Sequence, residues 1–162
     1  MGYRSVETTH LITQLPQKPP RVERGQMILP VTTITASLLG LFLVKLSLNV
    51  IKLRLANKVS IGHAENADLE RAMRAQGNFS EYVPTALILL ALLEWNRAPL
   101  ELLILLAVTF TAGRWFHSRG IVEPPPKFTN RVRGMKLTLY SLIALSASNL
   151  VWLGINFAGS TP

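Results

Sequence analysis

Four apolar stretches, separated by polar segments, divide the chain. Residues 137–157 carry no charge, and residues 28–51 are interrupted by a charge only at Lys45. Each is long enough to cross a bilayer, because a transmembrane helix needs about 20 mostly apolar residues. Two middle runs, 82–93 and 102–113, are shorter, but each continues into polar sequence that can extend the same helix. The pattern therefore predicts four long helices and no period-two strands.

The predicted architecture is an all-α membrane protein, a bundle of four transmembrane helices. Their expected positions are about 28–56, 67–95, 99–118 and 132–157. The sequence Asn96-Arg97-Ala98-Pro99 is a turn signal, and two helices joined by so short a turn must be antiparallel neighbours. Residues 57–66 form the first connection, and residues 119–131, with three consecutive prolines, form the third. Residues 27–162 are thus predicted to be one membrane domain.

Residues 1–26 have a different composition. They are polar, contain three prolines and have no apolar stretch, which predicts a disordered tail and excludes a signal peptide. Met27 stands directly before the first apolar run. The alternative is therefore that the native chain starts at Met27 and that residues 1–26 are an extension.

Charge adds an orientation to this picture. The chain of 162 residues is 49% hydrophobic and has a net charge of +8. Apart from Arg97 and the tail, the basic residues lie in loops one and three or on the helix halves that lead into them. The positive-inside rule then predicts loops one and three in the cytoplasm and both termini outside. Nucleic acid is not an expected partner, because the basic residues accompany membrane spans.

Polar residues on two helices form stripes. On the second helix the spacing i, i+3, i+7, i+10 places all four members within about 80° of arc. They are Arg71, Arg74, Asn78 and Glu81. A similar stripe on the first helix consists of Lys45, Asn49 and Lys52. Polar groups inside a membrane bundle usually mark a binding pocket or substrate path, although they can also simply join helices.

Glu81 and Arg114 are equidistant from the midpoint of the turn at residues 96–99. Residues at one depth on adjacent helices can pair, and a pair would reduce the cost of two charges within the membrane. We therefore predict an ion pair between Glu81 and Arg114, and a larger destabilisation from losing Glu81 than from losing Glu94. His117 is interpreted as a hydrogen-bonding residue or a proton carrier. No second histidine or cysteine lies nearby, so no metal is predicted.

The segment RAMRAQGNFSEYVP on the second helix, with GRWFHSRG ending the third, resembles the MAPEG family (membrane-associated proteins in eicosanoid and glutathione metabolism). The resemblance covers residues 28–157 and is strongest to the short bacterial members of the family. The positions that match the second-helix pattern of the family are Arg74, Ala75, Asn78, Glu81, Tyr82 and Pro84.

This resemblance implies a homotrimer in the bilayer that binds glutathione between subunits at the cytoplasmic end. It also implies a glutathione-dependent transferase or peroxidase that acts on lipophilic electrophiles or lipid hydroperoxides. The chain has no cysteine, so glutathione would supply the thiol as cosubstrate. The residues implied in binding glutathione are Arg74, Asn78, Glu81, Arg114 and His117, with Lys52 or Arg54 from the first helix. Arg133, or alternatively Arg131, would stabilise the thiolate, since a nearby guanidinium lowers the pKa of a thiol.

The chain departs from the eicosanoid-making members at two positions. Ile121 and Leu137 stand where those members carry tyrosines. The alternative function is therefore a non-catalytic membrane binding protein that keeps the trimer without thiol chemistry. A small four-helix drug exporter ranks last, because such exporters need a carboxylate inside the first helix, and this helix has Lys45 and no acid.

Overall fold

The computed structural model describes residues 28–123 and 125–158. These form four α-helices: α1 at Pro30–Asn57, α2 at Ala67–Trp95, α3 at Leu100–Val122 and α4 at Phe128–Ala158. The prediction of an all-α chain with four helices is confirmed. The predictions for residues 1–26 and for Met27 lie outside the described residues.

The last residue of α3 and the first residue of α4 differ from the predicted ones. α3 continues four residues further than expected, because Arg119 pairs with Glu123 one turn later and the backbone N–H of Glu123 still donates to the carbonyl of Arg119, at 3.1 Å. α4 begins four residues earlier, at Phe128. The connection is therefore short, and Arg131 lies in the first turn of α4.

The first backbone N–H groups of α1 and α2 are satisfied in two different ways. The side chain of Asn66 caps α2 by accepting hydrogen bonds from the N–H groups of Asp68 and Leu69 at 3.0 and 2.9 Å. α1 has no such residue of its own. Instead, the Glu94 carboxylate accepts from the N–H groups of Val31 and Thr32, both at 2.8 Å. A charge near the end of α2 thus satisfies donors at the positive end of α1.

Glu94→Gln is expected to destabilise the protein more than Glu81→Gln, the reverse of the expectation from sequence. The amide would replace one accepting oxygen with a donor and remove the charge at the helix terminus, which costs about 1 kcal/mol. Glu81 is exposed, and its change should stay within about 0.5 kcal/mol. Thermal unfolding in detergent, followed by circular dichroism, measures both. A larger effect at Glu81 would contradict this account of α1.

α2 and α3 each pack against the three other helices, whereas α1 and α4 do not contact each other within the described chain. The contact between α1 and α3 is the smallest of the helix pairs that touch. Large core side chains fill the space around α2; among them are Leu39, Phe79, Leu90, Leu93, Leu103, Phe110 and Leu145. At the far end, Trp152 Nε1 donates to the carbonyl of Asn96 at 2.8 Å and fixes α4 to the turn between α2 and α3.

α3 and α4 approach closely through glycines. A Cβ at Gly134 would lie 2.3 Å from the backbone nitrogen of His117 and 2.7 Å from the carbonyl oxygen of Gly113. A Cβ at Gly120 would lie 2.5 Å from the backbone nitrogen of Arg131. Small residues allow membrane helices to pack backbone against backbone. This crossing brings the start of α4 against the end of α3.

Three of the helices, α1, α3 and α4, are long and apolar enough to cross a bilayer. The first half of α2 carries the polar stripe, which lowers its mean hydropathy. The bundle leaves many large apolar side chains exposed, including Ile34, Leu41, Leu48, Ile88, Leu105, Ile143 and Leu150. Exposed apolar surface of this extent suits hydrocarbon better than water. The fold is therefore that of a helical membrane protein.

Candidate functional site

A groove of about 680 Å³ opens at the end of the bundle that carries loops one and three. Its polar residues come from loop one and from three helices: His63 from the loop, Glu70, Arg74, Asn78 and Glu81 from α2, His117 from α3, and Arg131 from α4. Its apolar lining consists of Met73, Ile121, Phe128, Val132 and Met135. The lining of the groove thus combines positively charged, negatively charged and apolar side chains.

Arg114 lies beneath this groove and is 1% exposed. Its Nε donates to Thr138 Oγ1 at 3.0 Å, and its Nη1 donates to the side-chain oxygen of Asn78 at 2.9 Å and to the Asn78 carbonyl at 3.3 Å. The guanidinium also lies 5.1 Å from the ring centroid of Tyr82, within range of a cation–π contact. Arg114 therefore connects α2, α3 and α4.

The predicted ion pair between Glu81 and Arg114 is wrong. Among the described residues, the ion pairs all join residues of one helix or its end, and none includes either of these two. Equal depth on neighbouring helices does not fix the direction of a side chain. Arg114 turns inward to Asn78 and Thr138, whereas Glu81 is exposed at the groove.

The contact with Arg114 fixes the orientation of Asn78. A guanidinium has donors and no acceptor, so the amide oxygen of Asn78 must face it. The NH₂ group of Asn78 is then directed away from Arg114, and Asn78 lines the groove. Asn78 consequently offers hydrogen-bond donors to a ligand.

His117 is oriented by the start of α4 in a similar way. Its Nδ1 lies 3.0 Å from the backbone carbonyl of Arg131. A carbonyl can only accept, so Nδ1 carries the proton and, in the neutral ring, Nε2 is an acceptor. The ring is buried but lines the groove. His117 therefore complements Asn78 with an acceptor.

Arg74 is held only weakly. Its Nε lies 3.7 Å from a carboxylate oxygen of Glu70, one turn earlier on α2, and both side chains are well exposed. Such exposed pairs contribute about 0–1 kcal/mol. A ligand carboxylate can therefore replace Glu70 at little cost. The sequence analysis did not include Glu70 or Thr138. The i, i+4 spacing of Glu70 and Arg74 could have indicated their contact, whereas no sequence pattern indicated that Thr138 accepts a hydrogen bond from Arg114.

Four predicted site residues do not line the groove: Arg114 is buried beneath it, and the other three lie away from it. Arg133 lines a separate cleft beside Phe116 and Tyr140, because residues two apart on a helix point in nearly opposite directions. Arg54 donates to the carbonyls of Ser60 and Gly62, both at 3.1 Å, and closes loop one. Lys52 is exposed on α1. Within one chain, Arg131 rather than Arg133 faces the groove.

Together, the apolar helical bundle and its charged groove define a multi-span helical membrane protein with a charged groove at one end. The sequence model of the MAPEG family matches residues 32–151, and the chain belongs to this family. It is 31% identical over 123 residues to the inner membrane protein YecN of Escherichia coli K12, covering 76% of this chain and 92% of that relative. The YecN protein of Escherichia coli O6:H1 matches to the same extent. The inner-membrane relatives and the apolar helices support a location in a cell membrane.

Proposed function

We propose that the groove binds glutathione and activates its thiol, so that the protein acts as a glutathione-dependent transferase or peroxidase on lipophilic electrophiles or lipid hydroperoxides. The observation that supports this most directly is the shared lining of one groove by Arg74, Asn78, Glu81, His117 and Arg131. Membership of the MAPEG family, whose known chemistry includes glutathione, supports it as well.

The charges of the groove complement those of the tripeptide. Glutathione carries two carboxylates and one ammonium group near neutral pH. Arg74 can bind a carboxylate through paired hydrogen bonds, and Glu81 can accept from the ammonium group. The NH₂ of Asn78 and the Nε2 of His117 can bind a peptide carbonyl and a peptide N–H. The groove volume of about 680 Å³ is within the usual range for small-molecule sites.

Arg131 is the proposed thiolate-stabilising residue. Arginine stays protonated and cannot act as a base, but its charge lowers the pKa of a bound thiol. The thiol proton leaves to water at the open groove or to Nε2 of His117. The thiolate then forms a bond to the electrophilic carbon, and the leaving group departs with its electron pair. With a hydroperoxide, the sulfur instead attacks the terminal oxygen and releases an alcohol; a second glutathione converts the sulfenic acid to disulfide and water.

The proposal includes a homotrimer in which a neighbouring subunit completes each site. Lys52 and Arg133 do not line the groove of their own chain, so they are available to a neighbour. α2 runs antiparallel to α3 across a four-residue connection, residues 96–99, and is inferred to cross the bilayer with it. Loops one and three, with the groove, then lie in the cytoplasm and both termini lie outside.

Cysteines placed singly at Ser60 and Lys127 test this orientation, and the cysteine-free chain gives a clean background. Both should resist a membrane-impermeant maleimide in intact cells and react after permeabilisation. A cysteine at Arg97, in the opposite turn, is the control and should react in intact cells. Labelling of Ser60 and Lys127 before permeabilisation, with Arg97 protected, would show the reverse orientation.

Conjugation of glutathione to a lipophilic aryl halide tests the proposed reaction. The protein is reconstituted in lipid nanodiscs, and the product is followed by absorbance. We expect turnover that saturates with glutathione and is absent in empty nanodiscs. Saturable binding without turnover of either an aryl halide or a lipid hydroperoxide would reject the enzyme and support the second candidate.

That second candidate is a membrane binding protein that keeps the groove without thiol chemistry. The observation that favours it is Ile121, which lines the groove in place of a tyrosine of the eicosanoid-making members. An isoleucine provides no hydroxyl group to donate to a sulfur. Glutathione or a similar anionic peptide would then be bound without activation.

A further inference from the structure

We propose that a furrow between α1 and α3 binds an anionic phospholipid of the bilayer, with an acyl chain in its apolar part and the phosphate beside Lys45 and Arg119. The proposal is independent of glutathione binding, because this furrow shares no lining residue with the glutathione groove.

The furrow consists of two clefts that meet at Trp115. One cleft, of about 680 Å³, is almost entirely apolar and is lined by residues such as Leu38, Ile104 and Val108. The other, of about 470 Å³, is lined by Lys45, Asn49, Ser118 and Arg119, among others. Trp115 lines both. The contact between α1 and α3 is the smallest of the helix pairs that touch, which leaves room for both clefts.

The apolar cleft has the length of an acyl chain. On α3 its lining extends from Leu100 to Trp115, a rise of about 22 Å at 1.5 Å per residue. One leaflet contributes about 15 Å to a hydrocarbon core of about 30 Å. A chain from one leaflet therefore fits along the cleft, and Trp115 lies where the headgroup region would begin, as tryptophans at membrane interfaces do.

The polar cleft has the chemistry of a phosphate site. Lys45 Nζ and the Arg119 guanidinium lie 5.7 and 5.4 Å from the ring centroid of Trp115. Glu123 also lines the cleft and pairs with Arg119, whereas Lys45 has no carboxylate partner among the described residues. One positive charge is thus in excess, and Asn49 and Ser118 add hydrogen-bond donors.

This excess charge favours a phospholipid over a second copy of the chain. An apolar helix from another copy would cover Lys45 without a counter-charge, which is costly in a low-dielectric environment. An anionic phospholipid supplies both the counter-charge and the apolar chain. Near a membrane surface, each basic residue contributes an attraction that corresponds to about five-fold in affinity for anionic lipid.

Native mass spectrometry of the full-length protein tests the proposal. The protein is incubated with equal amounts of phosphatidylglycerol and phosphatidylcholine that carry the same acyl chains. The wild type should retain phosphatidylglycerol in preference. Lys45→Gln should lower this preference about five-fold, and Lys45→Arg should restore it. Lys127→Gln, an exposed charge away from the furrow, is the matched control and should behave like the wild type.

Ala112→Leu, which fills the apolar cleft and leaves the charges in place, should reduce retention of both lipids. It also keeps the test decisive if Lys45→Gln fails to fold. Equal retention of the two lipids by the wild type would overturn the proposal, as would unchanged retention by Ala112→Leu. A change of oligomer mass in Lys45→Gln, with no change in lipid preference, would identify the furrow as an interface between copies and would overturn it too.

Discussion

Gly134→Ala is expected to lower the free energy of unfolding by about 3 kcal/mol, at the upper end of the usual cost of overpacking. The added Cβ would meet the backbone nitrogen of His117 at 2.3 Å and the Gly113 carbonyl oxygen at 2.7 Å. Backbone atoms of two packed helices cannot turn away as a side chain can, so α3 and α4 must separate.

Separation of α3 and α4 would also disturb contacts in the candidate site. The bond from Arg114 Nε to Thr138 Oγ1 and the contact between His117 Nδ1 and the Arg131 carbonyl both span the same crossing. Gly154→Ala is the matched control, because a Cβ there has no atom within 4 Å and alanine is the better helix former by about 0.5–1 kcal/mol. Thermal unfolding in detergent compares the two. Equal stability of the variants would contradict the close crossing.

Arg131→Ala is expected to reduce the thiolate fraction of bound glutathione at least ten-fold near neutral pH, while Arg133→Ala leaves it almost unchanged. Arg131 lines the groove and Arg133 lines another cleft. An opposite charge at contact distance changes a pKa by about one unit or more, so its loss returns the thiol to its protonated form. Ultraviolet absorbance of the bound thiolate provides the measurement.

Arg131→Lys serves as the control for charge and should retain part of the signal, since lysine keeps the positive charge without the planar fork. The opposite outcome, in which Arg133→Ala removes the thiolate and Arg131→Ala does not, would assign this role to Arg133. It would also require Arg133 to act on the groove of a neighbouring subunit, because it does not line the groove of its own chain.

The first and last residues of a helix could be predicted from the sequence where local signals mark them. α2 begins and ends as predicted, at 67 and 95, because Asn66 is a capping residue and residues 96–99 form a turn. The ends of α3 and α4 were predicted less well. There, the contact of Gly120 with the backbone of Arg131 sets the connection, and a contact between helices leaves no local pattern.

The candidate site was predictable where one helix determines it. The spacing of Arg71, Arg74, Asn78 and Glu81 indicated a single face of α2. The last three line one groove, whereas Arg71 pairs with Asp68 and does not line it. The role of Arg114 was not predictable. Its depth in the bundle follows from its residue number, but the direction of its side chain depends on how the helices pack. The contact of Glu94 with α1 was not predictable either. It joins residues 63 positions apart, and no local pattern links them.

Isothermal titration of the purified protein with glutathione tests the central claim most directly. The account predicts saturable binding at millimolar concentration or below. It also predicts that Arg74→Ala weakens binding about ten-fold or more, through loss of a charged hydrogen bond worth about 1.5–3 kcal/mol. Arg71→Ala, a matched arginine on the same helix that pairs with Asp68 and does not line the groove, should bind as the wild type does. Absence of saturable binding at millimolar glutathione, or equal binding by Arg74→Ala and the wild type, would contradict a glutathione site in this groove.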